Sequence, residues 1–459
     1  MSGRARTRLI LGLLGLASLP GYALDSRTLL GGDINGLLRH VIVFAALFAL
    51  YLVATWLVLG RAGADRGALA LVIGFGLLFR LAVLPLPVVT SSDAYRYLWD
   101  GRVQRAGISP YRYPPAAPEL ATLRDEAVYP NINRPTKPTV YPPGAEALFA
   151  AVTTLAPDSL VGWRVFLLGC DVLTAALLLR LLLRMGRPPG AVIVWAWAPL
   201  AVLEGIQAAH LEPALVPLVL LALLWRQEGR LALAGAALAG AVLLKLYPAV
   251  LLPAWWRRGE RRFVLACLGV VAGGYLLYTV PVGARVLGFL PEYFSSAEDF
   301  NVGLRWFLTD GIGLGGPGLG REVARGIVML LLTGALLAAL LWIRRHLVEG
   351  PDGVLAAGFG AVAAYMLLMP TALHAWYVLW ILPFLAVNPS PGWLWLTGAV
   401  TLAYLKYVGG AELPFWVRAV EFFPLYGWLV WQWRRRGPAA RSALSPAPGT
   451  EASWGRPCC

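Results

Sequence analysis

An all-α, polytopic integral membrane protein, with about 12 spanning helices plus one short helical hairpin, follows from three features of the sequence. Of 459 residues, 58% are hydrophobic and only 14% charged, against roughly 45–50% and 25% in soluble domains. Apolar runs close to the roughly 20 residues needed to cross a bilayer recur along most of the chain. The 39 Lys and Arg sit mainly in short clusters between those runs. These figures exclude an ordinary soluble enzyme, a disordered chain and a secreted disulfide scaffold. A net charge of +14 would suggest nucleic acid in a soluble protein, but here the placement of the cations reads as membrane topology. Cys170, Cys267, Cys458 and Cys459 have neither metal-ligand nor disulfide-framework spacing.

The candidate spans lie near 9–24, 40–59, 67–89, 160–183, 190–206, 211–225, 263–282, 323–343, 353–370, 374–387, 391–410 and 419–433. The stretch 231–256 is apolar but interrupted by Lys245-Leu-Tyr-Pro248, which predicts a hairpin of two short helices. With the N-terminus and its Arg4, Arg6 and Arg8 inside, the clusters at Arg184/Arg187, Arg226/Arg230, Arg257–Arg262 and Arg434–Arg436 also fall inside. That alternation holds only if 231–256 returns to the side from which it started. The first apolar segment resembles a secretory signal, yet the charge alternation uses it as a retained helix. The resulting organisation is one transmembrane catalytic domain over 1–436 and a disordered cytoplasmic tail over 437–459. Two long extracytoplasmic loops, 91–159 and 283–322, interrupt the domain. In the first loop, helices are predicted to start at Ser92/Asp93 and after Pro143.

Polar groups embedded among apolar spans are costly, so they are functional candidates. On this topology they gather on the outer side: Asp93, Glu204, His210, Glu212, Lys245, Tyr247, Glu298, Asp299, Asn301, His374, Trp376 and Tyr377, with Arg80, Arg164 and Lys406 in outer half-spans. Cations at headgroup depth suit a lipid phosphate. A carboxylate suits deprotonation of an incoming hydroxyl, and the cations suit charge developing on a leaving phosphate. Lipid-linked glycosyl transfer needs both. Plainer readings exist for each residue. Asp93 could simply favour a helix start, Lys245 could snorkel, Arg80 and Arg164 could pair with carboxylates, and Trp376 and Tyr377 could belong to an interfacial belt. Asp100 and Asp299 read as surface residues, and His40 and His346 as span-end residues. His210-x-Glu212 lacks the i, i+4 spacing of a helical zinc pair, so neither metal nor cofactor is expected.

Ser91-Ser-Asp-Ala-Tyr-Arg-Tyr-Leu-Trp-Asp-Gly101, Gly107-Ile-Ser-Pro-Tyr111 and Pro138-Thr-Val-Tyr-Pro-Pro-Gly144 resemble the first outer loop of bacterial GT-C glycosyltransferases. Glu204-Gly-Ile-Gln-Ala-Ala-His-Leu-Glu212, Lys245-Leu-Tyr-Pro248, Phe300-Asn301 and His374-Ala-Trp-Tyr377 extend the match in order over residues 90 to 385. The set is most similar to the polyprenol-phosphate-mannose-dependent mannosyltransferases. The resemblance implies a multi-span enzyme of the bacterial cytoplasmic (inner) membrane with its active site facing outward. It implies a polyprenyl-phosphate sugar donor and a glycan or glycolipid acceptor, with Asp93 as catalytic base. A single Asp after Ser92, rather than paired acids, points to the metal-independent branch, and Glu212 stands where Asp is expected.

On this reading a hexose, mannose by resemblance, passes to the acceptor with inversion. Lys245, Arg80 and Arg164 are the candidates for the donor phosphate, and His210, Glu212, His374, Tyr377, Tyr247 and Tyr141 for substrate. The rival functions are a secondary transporter or lipid-linked glycan flippase, and a glycan polymerase or ligase with a lipid-diphosphate donor.

Overall fold

The computed structural model describes residues 2–29, 34–62, 65–88, 90–295, 300–311, 320–346, 350–368, 372–409 and 412–435. The tail 437–459 and the acidic pair Glu298 and Asp299 lie outside the described residues. Among those described there is no strand, only one isolated bridge between Phe300 and Ala372.

Helix α1 runs over Gly3–Leu29, α2 over Ile34–Leu57 and α3 over Arg66–Val83. At the start of α3 the Asp65 carboxylate accepts from the backbone N–H groups of Gly67 (2.7 Å) and Ala68 (3.2 Å), and Arg8 of α1 clamps it from outside. Two shorter helices follow, α4 over Asp93–Arg105 and α5 over Pro143–Leu155. Pro143 opens α5, where its missing N–H costs nothing. Ser92 makes no side-chain cap. It is the Ser91 Oγ that accepts from the Asp93 N–H, at 3.2 Å. Helix α6, Leu160–Arg184, is capped by Ser159 Oγ accepting from Gly162 N at 3.0 Å.

Seven of the described helices are long and apolar enough to cross a membrane, and eight if Pro189–Ala196 and Ala201–Gln207, bent by 58°, form one span. This establishes a multi-pass helical membrane protein. Of the other expected spans, 190–206 and 374–410 are broken into shorter pieces, whereas 211–225 and 419–433 fall in the unbroken helices Glu212–Gln227 and Phe415–Arg435, which are not among the seven. Pro199 stands at the 58° bend, where it removes a backbone donor. Residues 374–409 divide into Ala375–Ile381, Leu382–Val387, Pro391–Ala399, Val400–Leu405 and Lys406–Gly409. The stretch 231–256 breaks at Lys245, which is extended (φ −148°, ψ 143°) after the helix Leu231–Leu244.

Large apolar side chains such as Leu276, Leu277, Leu330 and Leu331 are exposed on their helices. In a spanning helix that face meets hydrocarbon. The interior is closed by tryptophans that solve their own polar problem. Trp197 Nε1 donates to Val72 O, Trp163 Nε1 to Ala209 O and Trp255 Nε1 to Val354 O, each at 2.9 Å. Close crossings use glycine. A Cβ on Gly101 of α4 would sit 2.3 Å from Thr153 Oγ1 and 2.6 Å from Phe149 O of α5. Only glycine therefore lets α4 lie this close to α5, and α4 is the helix that begins with Asp93.

Candidate active site

Asp93 stands at the first turn of α4, where the helix dipole favours a negative charge. Asn133 Nδ2 donates to its Oδ1 at 2.6 Å, which fixes the carboxylate's rotation. Two cavities meet at this residue. The larger, about 330 Å³, is lined by Ser91, Asp93, Arg96, Arg134, Lys137 and His374, among others. The smaller, about 150 Å³, brings Lys245 together with Tyr247, Tyr365 and Tyr377. Asp93, Tyr141 and Tyr377 line both.

The remaining candidates divide by position. Lys245 Nζ lies 2.5 Å from Glu212 Oε1 and 4.9 Å from the Tyr377 ring centroid. Tyr247 Oη donates to the same Glu212 oxygen at 3.4 Å. Glu212 is itself fully buried and lines neither cavity, so its contact with the site runs through Lys245 and Tyr247. His210 sits behind the wall: its ring stacks on Trp376 at 3.8 Å, Trp376 stacks on His374 at 4.4 Å, and His374 on Phe300 at 4.6 Å. Four parallel rings thus join three separate stretches of chain. Trp376 and Tyr377 are cavity residues here rather than lipid-facing ones.

Arg80 and Arg164 lie outside both linings. Arg80 forms a two-pronged pair with Asp171 (2.5 and 3.0 Å) and donates to Ala196 O at 2.6 Å and Gly76 O at 3.0 Å. Ala196 ends the first arm of the 58° bend and Gly76 lies on α3 one turn before Arg80, so the guanidinium ties α3 to the broken helix and supplies it a donor. Arg164 donates to the carbonyls of Leu84, Leu86 and Gln207. Glu204 accepts from Tyr404 Oη at 2.7 Å, and His40, expected merely to end a span, is fully buried against Asp25 at 2.8 Å.

Asp100, expected at the surface, is buried, because Arg96 one turn earlier needs it. Arg96 Nε lies 2.9 Å from both Asp100 oxygens. Behind it, Thr139 Oγ1 donates to Glu146 Oε1 at 2.6 Å. Burial pushes the Glu146 carboxyl well above the usual carboxylate range, and the nearby Asp100 charge adds to the shift. Arg96, Asn133, Arg134 and Lys137 are cavity residues or partners of Asp93 that the sequence reading passed over. Arg96 carries the one signal that could have found it, since i, i+3 spacing places it on the Asp93 face of α4.

Phe289, Tyr293 and Phe300 of the second long loop line the larger cavity. Phe289 N donates to Thr139 O at 2.9 Å, and the cations of Arg134 and Lys137 lie over the Phe289 ring at 5.6 and 5.4 Å. Lys137 also pairs with Glu292. Gly288 (φ +54°) makes this docking possible, because a Cβ there would come within 1.9 Å of Thr139 O. Gly288→Ala is therefore expected to detach this segment. Limited proteolysis should cut between 283 and 295 faster than in the unaltered chain, and transfer activity should fall with it. Unchanged cleavage and activity would remove the docking role.

The arrangement sets a carboxylate beside a basic chamber, with an aromatic chamber adjoining. Among the described residues no three His, Cys, Asp or Glu side chains converge as a metal site. Searches of curated proteins and of solved structures return no match. The family model for the alpha-(1->6)-mannopyranosyltransferase N-terminal domain (MptA_B_family) matches residues 8–257. That stretch is more than half of the chain and includes Asp93, Arg96, Asn133, Arg134, Lys137 and Lys245, so the chain belongs to this family of GT-C mannosyltransferases and is a membrane glycosyltransferase.

Proposed function

We propose that the protein transfers mannose from a polyprenyl-phosphate donor to a glycan or glycolipid acceptor on the outer side of the bacterial cytoplasmic membrane, with inversion at the anomeric carbon. The family's description further suggests an α-(1→6) linkage as the product. The observation that carries the mechanism is Asp93 at the meeting point of two cavities, oriented by Asn133. A base at such a junction can take the proton of an acceptor hydroxyl in one chamber. The oxygen can then attack a sugar held in the other. Direct displacement needs only this one carboxylate and a stabilised leaving phosphate. Holding both substrates against one residue also removes much of the entropic barrier. The outward orientation is supported by the clusters of Arg that fall on one side when the N-terminus is inside.

The test is donor profiling with purified protein in liposomes. Polyprenyl-phosphate mannose should support transfer to a mannoside acceptor, and a nucleotide sugar should not. NMR of the product should give an α-(1→6) bond. Absence of transfer from every polyprenyl-phosphate sugar, or vectorial movement of the lipid without chemistry, would overturn the reading.

A further inference from the structure

Two places near Asp93 offer cations to a phosphate, and they differ in how many they offer. Lys245, in the smaller cavity, faces a fully buried carboxylate, Glu212, at 2.5 Å. Its charge is matched within the protein. The larger cavity has Arg96, Arg134 and Lys137 in its lining against the single carboxylate of Asp93. Arg96 and Lys137 have carboxylate partners of their own, Asp100 and Glu292, so the larger cavity is set apart by its three cations and by the one guanidinium nitrogen that its partner leaves unused.

Arg96 gives the sharper signal. Its side chain is 6% exposed. Its Nε is bound to Asp100 and its Nη1 donates to Lys137 O at 3.1 Å, but its Nη2 is buried with no acceptor in the protein. A buried guanidinium N–H left unmatched is costly, and native proteins seldom tolerate one without a use. The residue lines the cavity, so an oxygen of a bound anion would complete its set. Asp100 holds the guanidinium through Nε, which fixes its position before any ligand arrives. Arg134, the neighbour of Asn133, and Lys137 bring two more cations to the same chamber.

We propose that Arg96, Arg134 and Lys137 form the seat for the phosphodiester of the prenyl-linked donor, and that the tyrosine-lined chamber beside Lys245 receives the acceptor glycan. This rests on the transferase reading above and fixes which chamber serves which substrate. The acceptor hydroxyl gives its proton to Asp93, and its oxygen forms a bond to the anomeric carbon. The bond from that carbon to the phosphate oxygen breaks, and its electron pair stays with the departing prenyl monophosphate. The additional negative charge then develops against the Arg96 Nη2 edge. Because Asp93 and Arg96 lie one turn apart on α4, a single rigid helix sets the spacing of base and phosphate anchor.

Binding of farnesyl phosphate to the purified, detergent-solubilised full chain tests the seat without requiring turnover. Farnesol and inorganic phosphate serve as the comparison probes. Farnesyl phosphate should bind, and farnesol and inorganic phosphate should bind far more weakly. Arg96→Gln and Arg134→Gln should each weaken farnesyl phosphate by about tenfold or more, the scale of a lost charge-assisted hydrogen bond. Asp93→Asn and the double variant Lys245→Gln/Glu212→Gln, which leaves no unpaired buried charge, should leave it within a few-fold of the unaltered protein. Arg134 is exposed, so its variant decides the matter if Arg96→Gln does not fold. Loss of binding in the Lys245→Gln/Glu212→Gln variant, with both Arg variants unaffected, would move the phosphate to the other chamber and overturn the seat. Equal affinity for inorganic phosphate would overturn the lipid assignment. No binding of farnesyl phosphate by the unaltered chain would instead sink the prenyl-donor reading itself.

Discussion

Asp93→Asn is expected to leave a folded, membrane-inserted protein whose transfer rate falls by about 10²–10⁴-fold, the usual contribution of a positioned base. The substitution keeps the shape of the side chain. Asn is also well tolerated at a helix start, and its carbonyl oxygen can still accept from Asn133 Nδ2, which now donates to Oδ1 at 2.6 Å. What disappears is the ability to take a proton. Initial rates at saturating donor, with the melting temperature measured on the same preparation, separate chemistry from folding. A rate within a few-fold of the unaltered enzyme would remove Asp93 from its role. A large drop in melting temperature would mean that the residue mainly supports α4.

The second large effect concerns stability. Arg80→Met should destabilise the protein strongly, on the order of 3–5 kcal/mol, because Asp171 is then buried as an unpaired charge. Asp171→Leu should do comparable damage for the opposite reason. The double variant should recover much of the loss, though not all, since the carbonyls of Ala196 and Gly76 would still lack the donors that Arg80 provides. A double-mutant cycle on melting temperature in one detergent measures this coupling. Arg80 lines neither cavity, so the double variant should retain transfer activity per folded molecule. Independent losses from the two substitutions, or a stable but inactive double variant, would restore Arg80 as a candidate for phosphate contact.

These cases mark what a reading of the sequence can and cannot reach. The membrane character was legible because a bilayer demands long apolar helices whatever the fold. The break at Lys245 was legible because charge and proline interrupt an apolar run. Asp93, His374, Tyr247, Tyr377 and Lys245 stand out as polar groups in unusual company and Tyr141 by its place in the Pro138–Gly144 motif, and all six line the cavities. Arg80 and Asp171 are 91 residues apart, and Asn133 is 40 from Asp93. Nothing local announces such partners. In water, a helix advertises its buried face by amphipathic spacing. In lipid, the outward face is apolar too, so the pattern that would pair one span with another is missing. The mistake over Asp100 has a related origin: an acid in a polar loop reads as solvated until its i−4 arginine proves to be buried with it. Arg96 and Arg134 were passed over for the same reason, as ordinary cations in a loop already rich in charge.

A carboxylate that borders two chambers also constrains the order of events. On the proposed assignment each substrate has its own chamber, so neither must depart before the other arrives, and no covalent sugar–enzyme species has to bridge two half-reactions. Reciprocal plots of initial velocity at several fixed acceptor concentrations should accordingly converge rather than run parallel, and prenyl phosphate should inhibit competitively toward the lipid alone.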